Sequence, residues 1–321
     1  MVLRAKFWRQ ALNHTTPLAA PLATPHLLGK PDCIWPAGAT LGEGTLWSPR
    51  QQALYWVDIL EKRLHRWQAA DGARQSWSFD EEISAVAERE GAPDLLVTLR
   101  HGFAFFDPAT PDAAPRYLHQ PEADLPGNRF NDGKCDPQGR FWGGSMDVAC
   151  KAPTGVLYRY DPDGRCTRHE QGIAVTNGPA WSADGRSMYF NDTVRGCTFA
   201  YDFDAATGTL ANRREWLRFA PGDGLPDGMT TDAAGRLWIA HWGGACVSCH
   251  DPVSAAELCR VKLPTSHITN CAFGGADLCT LYITSATSGL TPAQRVAEPL
   301  AGGLFAVRID SPGRAAPLFG G

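Results

Sequence analysis

A short pattern recurs along this chain of 321 residues. Each copy begins with a polar residue, usually beside a glycine, passes through a turn of the Asp-x-x-Gly-Arg kind, and ends in an aromatic-rich strand. Three clear copies read FNDGKCDPQGRFWGGSM, TNGPAWSADGRSMYFNDT and LPDGMTTDAAGRLWIAHWGG. Because the copies of a repeat fold into similar units, one fold presents these polar residues several times.

The spacing of the copies predicts the architecture. One strand residue after each turn serves as a reference point: Tyr55, Leu96, Trp142, Tyr189, Trp238 and Tyr282. Successive reference points lie roughly 41 to 49 residues apart, the period of a four-stranded propeller blade. Helical periodicity is almost absent, and short alternating segments are separated by glycine and proline. The sequence therefore predicts an all-β, six-bladed β-propeller in which the copy around Leu96 is the most degenerate.

The predicted propeller occupies residues 35–321 as a single catalytic domain. Its C-terminal segment GGLFAVRID should share a blade with the N-terminal region, because such a closure removes exposed strand edges. Residues 1–34 read as an N-terminal extension that packs along the outside or is partly disordered. Its prolines prevent a long amphipathic helix, so it resembles an organellar presequence only faintly.

Composition and charge exclude several classes of protein. Hydrophobic residues make up 44% and charged residues 20% of the chain, which suits a protein with a packed core. A net charge of −4, without basic runs, argues against a nucleic-acid partner. No apolar run approaches the roughly 20 residues that span a bilayer. We therefore expect a soluble cytoplasmic protein, monomeric by default.

The ten cysteines are scattered, and several lie within apparent strands. This distribution predicts reduced core thiols rather than a disulfide framework. Cys246 and Cys249, in CVSCH, have the spacing of a metal or redox motif. Residues three apart in a strand point to opposite faces, however, so a zinc site there is the weaker interpretation.

A ring of polar residues follows from the repeat. Eleven or twelve positions before the reference points stand Glu43, Ser84, Asn131, Asn177, Asp227 and Asn270. Equivalent points of the blades lie at one height around the propeller axis. The spacing therefore predicts that two carboxylates and three amides converge on one mouth of the central channel.

Two buried carboxylates facing each other require a compensating positive charge. No Arg or Lys occupies an equivalent ring position, so a divalent cation is the simplest compensation. Oxygen ligands from Glu43, Asn177 and Asp227 suit calcium, magnesium or manganese, and zinc or iron(II) would also bind. The alternative is that these residues only form turns, since Asn-Gly and Asp-Gly favour turn geometry.

Five motifs in order resemble the gluconolactonase and regucalcin (senescence marker protein) family over about residues 35 to 310. They are LGEGTLWSPRQQALYWVDI, RFNDGKCDPQGRFWGGSMD, TNGPAWSADGRSMYFNDT, LPDGMTTDAAGRLWIAHWGG and TNCAFGGADLCTLYITSA. The resemblance implies a six-bladed propeller with one divalent metal in the channel mouth. It places the metal ligands at Glu43, Asn177 and Asp227, and substrate-binding residues at Arg129 and Asn131.

One stretch departs from the family pattern. Animal members have a further glutamate shortly after the Met146 triplet, which helps to hold the sugar. This chain reads GSMDVACKAPTG there, with Asp147 and then no glutamate. The stretch is more similar to the bacterial sugar-lactone hydrolases, and it leaves open which residue contacts the sugar.

The ring residues predict a divalent-cation site, and the resemblance implies a metal-dependent sugar-lactone hydrolase that opens an aldonolactone to its aldonic acid. Metal-activated water would be the nucleophile, and Asp227 would be the general base. A Gly-x-Ser-x-Gly nucleophile motif is absent from the sequence. The alternatives are hydrolysis of other esters or organophosphates, and a non-catalytic propeller that binds calcium or proteins. The sequence identifies neither the metal nor the sugar.

Three aromatic residues close to the predicted mouth allow two interpretations. His241 and His267 could line a pocket, although a histidine that bonds to loop backbone is the commoner case. Trp242 could stack on a sugar ring. We expect Trp47, Trp142, Trp181 and Trp238 to pack in the blade core.

Overall fold

The structure is a computed structural model that describes residues 22–321. Its strands form six four-stranded antiparallel sheets, as expected for a six-bladed β-propeller. The first blade contains β2 (Gly42–Ser48), β3 (Ala53–Asp58), β4 (Arg63–Gln68) and β5 (Arg74–Ser78). The second contains β6 (Ile83–Glu88), β7 (Leu95–Leu99), β8 (Gly102–Phe106) and β9 (Arg116–His119). The third contains β10 (Asn128–Cys135), β11 (Phe141–Asp147), β12 (Gly155–Tyr160) and β13 (Cys166–Ile173).

The remaining blades complete the ring. The fourth contains β14 (Thr176–Trp181), β15 (Ser187–Asp192), β16 (Cys197–Asp204) and β17 (Thr209–Arg218). The fifth contains β18 (Leu225–Thr231), β19 (Leu237–Trp242), β20 (Cys246–His250) and β21 (Glu257–Lys262). The sixth contains β22 (Ile268–Gly274), β23 (Thr280–Ser285), β24 (Leu304–Arg308) and β1 (Asp32–Trp35), and the short helix α1 (Pro292–Ala297) lies between β23 and β24.

The sixth blade joins the two ends of the propeller. Strand β1 pairs antiparallel with β24, with Asp32 opposite Ala306. The predicted closure by GGLFAVRID is therefore confirmed. The predicted boundary after residue 34 cuts through β1, whereas residues 1–21 of the extension lie outside the described residues. Across residues 22–321, the helical content includes nothing long and apolar enough to traverse a bilayer.

The Asp-x-x-Gly-Arg turn explains why the pattern repeats. Asp232 accepts hydrogen bonds from Arg236 Nε at 2.6 Å and from Trp238 Nε1 at 3.0 Å. The copy at residues 136–142 makes the same two bonds, at 2.6 and 2.9 Å. One buried carboxylate thus ties the turn to the aromatic side chain of the following strand. The copy at residues 182–188 has serine and methionine at the corresponding positions and lacks this link.

Every inner strand contains a register shift near its predicted ring residue. The shifts lie between Glu43 and Leu46, Ile83 and Ala85, Phe130 and Gly133, Asn177 and Ala180, Pro226 and Met229, and Ile268 and Cys271. A β-bulge of this kind interrupts the alternation of side chains and redirects those beside it. The six bulges therefore occur at the height of the predicted ring.

A C-terminal segment closes the other end of the channel. A cavity of about 100 Å³ lies within the channel, and residues 314–317 form part of its wall. Arg314 donates to the Ser182 carbonyl at 3.2 Å, and the Phe319 amide donates to the Glu88 carbonyl at 2.8 Å. These bonds attach the segment to the fourth and second blades.

We expect Asp232→Ala to lower the free energy of unfolding by about 3–5 kcal/mol, because it leaves the buried Arg236 guanidinium without its partner. The matched change Ser182→Ala, at the equivalent turn, should cost about 1 kcal/mol. Urea denaturation of both variants measures the difference. Equal losses would contradict a special role for the carboxylate.

Candidate active site at the channel mouth

The structure places all six predicted ring residues on inner strands and buries every one: Glu43, Ser84, Asn131, Asn177, Asp227 and Asn270. Hydrogen bonds connect residues of different blades. Asn131 Nδ2 donates to Asn177 Oδ1 at 3.1 Å, and Asn270 Nδ2 donates to Glu43 Oε2 at 3.1 Å. Ser84 instead pairs with Thr98 of its own blade, hydroxyl to hydroxyl, at 2.8 Å. Five of the six predicted positions thus belong to carboxylates or amides at one end of the channel.

The carboxyls of Glu43 and Asp227 are in contact, and the charge of Glu43 disfavours ionisation of Asp227. Burial raises the pKa of Glu43 to about 7, and the nearby Asp132 carboxylate adds to this shift. Burial, followed by the charges of Glu43 and Asp132, holds the pKa of Asp227 well above its ordinary value. Among the described residues, Asp227 Oδ1 has no hydrogen-bond donor. The Glu43–Asp227 pair therefore needs a proton or a cation to compensate its negative charge.

Asp132 is a third carboxylate that the sequence analysis missed. It is buried, and it accepts bonds from the Gly133 amide at 2.8 Å and the Gly178 amide at 3.1 Å. Strand alternation would send a neighbour of Asn131 to the opposite face. The register shift between Phe130 and Gly133 breaks that alternation. The pair Asn131–Asp132 was visible in the sequence, but the bulge was not.

Two basic residues stand beside the ring rather than in it. Lys134 donates to the carbonyl of Met229, and its charge partly offsets the burial that raises the pKa of Asp132. Arg129 is buried and donates to the ring residue Asn131. The expectation that no equivalent ring position holds Arg or Lys is correct. The inference that a divalent cation is the simplest compensation did not consider these neighbouring residues, which also supply positive charge.

The predicted substrate-binding residues are joined to each other. Arg129 Nη1 donates to Asn131 Oδ1 at 2.7 Å and to the Phe130 carbonyl at 2.9 Å. Asp147, which follows Met146, accepts instead from the amides of Lys151 and Ala152, at 2.9 and 2.8 Å. Its carboxylate therefore caps its own loop.

The histidines bond to loop backbone, as the commoner interpretation expects. His241 Nδ1 pairs with the Asp223 carbonyl, and His267 Nδ1 pairs with the Ser288 carbonyl, both at 2.7 Å. Trp242 stacks on His267, with ring centroids 4.0 Å apart. One face of Trp242 is therefore already covered. The four tryptophans assigned to the core are buried there: Trp47, Trp142, Trp181 and Trp238.

All ten cysteines lie in the described residues and are free thiols. In residues 22–321, no cluster of three or more histidine, cysteine or carboxylate side chains has the geometry of a metal site. This gives no support to zinc binding at Cys246 and Cys249. Any metal at the ring must depend on amide as well as carboxylate oxygens.

The raised pKa of Glu43 predicts a pH-dependent stability difference in protein treated with a chelator. Between about pH 4.5 and 7 the folded state binds more protons at this site than the unfolded state, so its stability falls as pH rises. Glu43→Gln removes this loss. We therefore expect the difference in melting temperature, Glu43→Gln minus wild type, to be a few degrees larger at pH 8 than at pH 5.

Differential scanning calorimetry at both pH values measures this change, and the difference between variants cancels the titration of the histidines. Glu61→Gln, an exposed carboxyl, is the control and should track wild type. A constant difference between Glu43→Gln and wild type would contradict the assigned shift.

Comparison with known proteins identifies the family of this chain. A family described as "SMP-30/Gluconolactonase/LRE-like region" matches residues 41–287. YvrE of Bacillus subtilis, whose name assigns it as a sugar lactone lactonase, is 36% identical over 275 residues, covering 86% of this chain and 93% of that protein. Regucalcin of Gallus gallus is 34% identical over 283 residues, covering 87% and 94%.

Two solved structures have the same fold. A luciferin-regenerating enzyme superposes with a TM-score of 0.85 at 31% identity, covering 92% of this chain and 99% of its own. Regucalcin of Agrobacterium tumefaciens, described as a calcium-binding protein, also gives 0.85, at 29% identity, covering 93% and 98%. The family match and these relatives together show that the chain belongs to the SMP-30/gluconolactonase/LRE-like family.

Proposed function

We propose that this protein is a divalent-metal-dependent lactonase that hydrolyses a sugar lactone to its aldonic acid. Family membership and the lactonase name of the Bacillus subtilis relative support this class of reaction. The observation that carries the proposal is the contact between the buried carboxyls of Glu43 and Asp227, with Asn177 buried on a neighbouring inner strand. Within residues 22–321, Asp227 Oδ1 lacks a hydrogen-bond donor.

The donor set fits one hard cation. Carboxylate and amide oxygens suit calcium, magnesium or manganese, and zinc or iron(II) are also compatible. The contact between Glu43 and Asp227 favours a shared positive charge, because it otherwise keeps protons on these groups. When bound, the ion would supply Lewis acidity to the lactone carbonyl and to the attacking water.

Asp227 is the proposed general base. Its Oδ1 would take a proton from the attacking water and later return it to the ring oxygen that leaves when the lactone opens. Lactone and water are thereby converted to the hydroxy acid. The hydrogen bond from the Asn191 amide to the Asp227 main-chain carbonyl, at 2.5 Å, fixes the backbone of this residue.

Arg129 and Asn131 are the proposed substrate-binding residues. The Nη1 bond to Asn131 holds the guanidinium in place, and Arg129 has further N–H groups available for substrate hydroxyls or a developing oxyanion. The backbone bonds of Asp147 argue against its replacing the glutamate of the animal family members. We also propose that the protein acts as a cytoplasmic monomer on a small molecule.

The alternative to an enzyme is a non-catalytic protein, either a calcium-binding regulator or a scaffold. Several relatives are named regucalcin, which is consistent with this alternative. A less specific esterase or organophosphate hydrolase would use the same residues. Turnover with a panel of substrates separates these possibilities.

We expect Asp227→Asn to reduce lactone turnover by about 10²–10⁴-fold, because it removes the proton acceptor. Chelator-treated protein is reloaded in turn with calcium, magnesium, manganese, zinc and iron(II). Acid release from five- and six-carbon aldonolactones is then followed, with spontaneous opening subtracted. Asp124→Asn, an exposed acid in the loop before β10, is the control and should retain full activity.

Turnover with one of the metals that disappears in Asp227→Asn would support the proposal and identify both ion and sugar. Binding of the ion without acceleration of any lactone would overturn it in favour of the regulator. Faster turnover of simple esters or organophosphates than of every lactone would favour the less specific hydrolase.

We expect Arg129→Lys to raise the KM for a polyhydroxylated lactone by about tenfold, since an ammonium cannot reproduce the planar guanidinium fork. Asp147→Asn should leave KM unchanged, because that carboxylate only accepts bonds from its own loop. Steady-state kinetics on both variants measures this contrast. A larger rise in KM for Asp147→Asn than for Arg129→Lys would indicate that Asp147, and not Arg129, binds the substrate.

A further inference from the structure

Two cysteines of the fifth blade face each other across neighbouring strands. Cys249 of β20 and Cys259 of β21 are opposite partners in the antiparallel register. The two thiols are also close enough for one to act as a hydrogen-bond donor to the other. The partner of Cys249 is therefore not Cys246, three residues before it in the CVSC motif, which lies opposite Lys262.

The positions of these two residues fit a disulfide. Directly opposed residues of an antiparallel pair have Cα atoms about 4.5–5.5 Å apart. A disulfide needs a Cα separation of about 4.4–6.8 Å. The opposed positions of Cys249 and Cys259 therefore fall within the Cα range that a disulfide needs. Within residues 22–321, the paired strands place no other two cysteines opposite each other.

Accessibility differs between the two thiols. Cys249 is fully buried in the core of the fifth and sixth blades. Cys259 lies on the outermost strand of its blade and is partly exposed. A small oxidant dissolved in water can therefore reach Cys259 first, while Cys249 remains behind it as the second thiol.

We propose that Cys249 and Cys259 are a redox site that forms a reversible disulfide by exchange with a small-molecule disulfide. The thiolate of Cys259 attacks one sulfur of the small disulfide, whose S–S bond breaks and releases one thiolate. Cys249 then loses its proton and attacks the Cys259 sulfur of the mixed disulfide, which expels the second thiolate. The two cysteines lose two electrons, and the small disulfide gains them.

The electrostatics assign the two roles in the same order. The hydrogen bond from the Cys249 thiol lowers the pKa of Cys259, which favours the attacking thiolate. The same hydrogen bond, together with burial, raises the pKa of Cys249. Cys249 is thus protonated and inert until Cys259 has reacted.

The disulfide would link β20 to β21, the two outermost strands of the fifth blade, and leave the channel mouth unchanged. Strand β21 is the edge strand, whereas Asp227 lies on the innermost strand β18. Closing the short loop between the two cysteines restricts the unfolded chain and stabilises the folded one. We expect the melting temperature to rise by ~5 °C on oxidation. Activity, where present, should not change.

The test exposes native full-length protein to oxidised glutathione, followed by denaturation, thiol counting and peptide mapping. We expect two of the ten thiols to disappear, one Cys249–Cys259 link to form, and dithiothreitol to restore both thiols together with the original melting temperature. Cys259→Ser should retain all nine remaining thiols or stop at a mixed disulfide on another residue. Cys246→Ala, the matched change in the CVSC motif, should oxidise as wild type does.

Retention of ten thiols in oxidised wild-type protein would overturn the proposal, as would a link between any other two cysteines. Normal oxidation of Cys259→Ser with the same loss of two thiols would also overturn it. If Cys259→Ser were poorly folded, Cys259→Ala and the peptide map of wild type would give the same decision.

Discussion

Six inner strands surround one axis, and this geometry forces their polar side chains to share a small buried space. Each strand carries a register shift at the same height, so the bulges bring side chains of different blades together at the channel mouth. Glu43 and Asp227 consequently meet without full compensation. Burial of these carboxyls, together with the nearby Asp132 carboxylate, makes the mouth receptive to protons or to a cation.

The turns that join the two innermost strands of a blade carry stability separately from this chemistry. The Asp-x-x-Gly-Arg turns bury a carboxylate against an arginine and a tryptophan, and these bonds tie successive strands together. Strand β1 completes the sixth blade and joins the two ends of the ring, and the C-terminal segment crosses the far end of the channel. Destabilising repulsion at the mouth is tolerated because the rest of the propeller holds the inner strands in place.

Sequence spacing was sufficient for the architecture because a propeller repeats one unit. It predicted six blades, their closure and the ring residues Glu43, Asn177 and Asp227, which the structure places on inner strands. Asp132 was not predicted, since simple alternation assigns it to the wrong face. Lys134 was not predicted as a neighbouring charge, because its contact with the Met229 carbonyl joins two blades that are distant in sequence.

The sequence by itself determined the repeat, the turns and the residue types at each blade height, because these depend on local spacing and backbone preference. Tertiary structure alone decided which side chains touch. The bulge turned Asp132 toward the other carboxylates, and strand register paired Cys249 with Cys259 instead of Cys246. These contacts depend on how strands pair and where that pairing slips, which spacing along one chain does not specify.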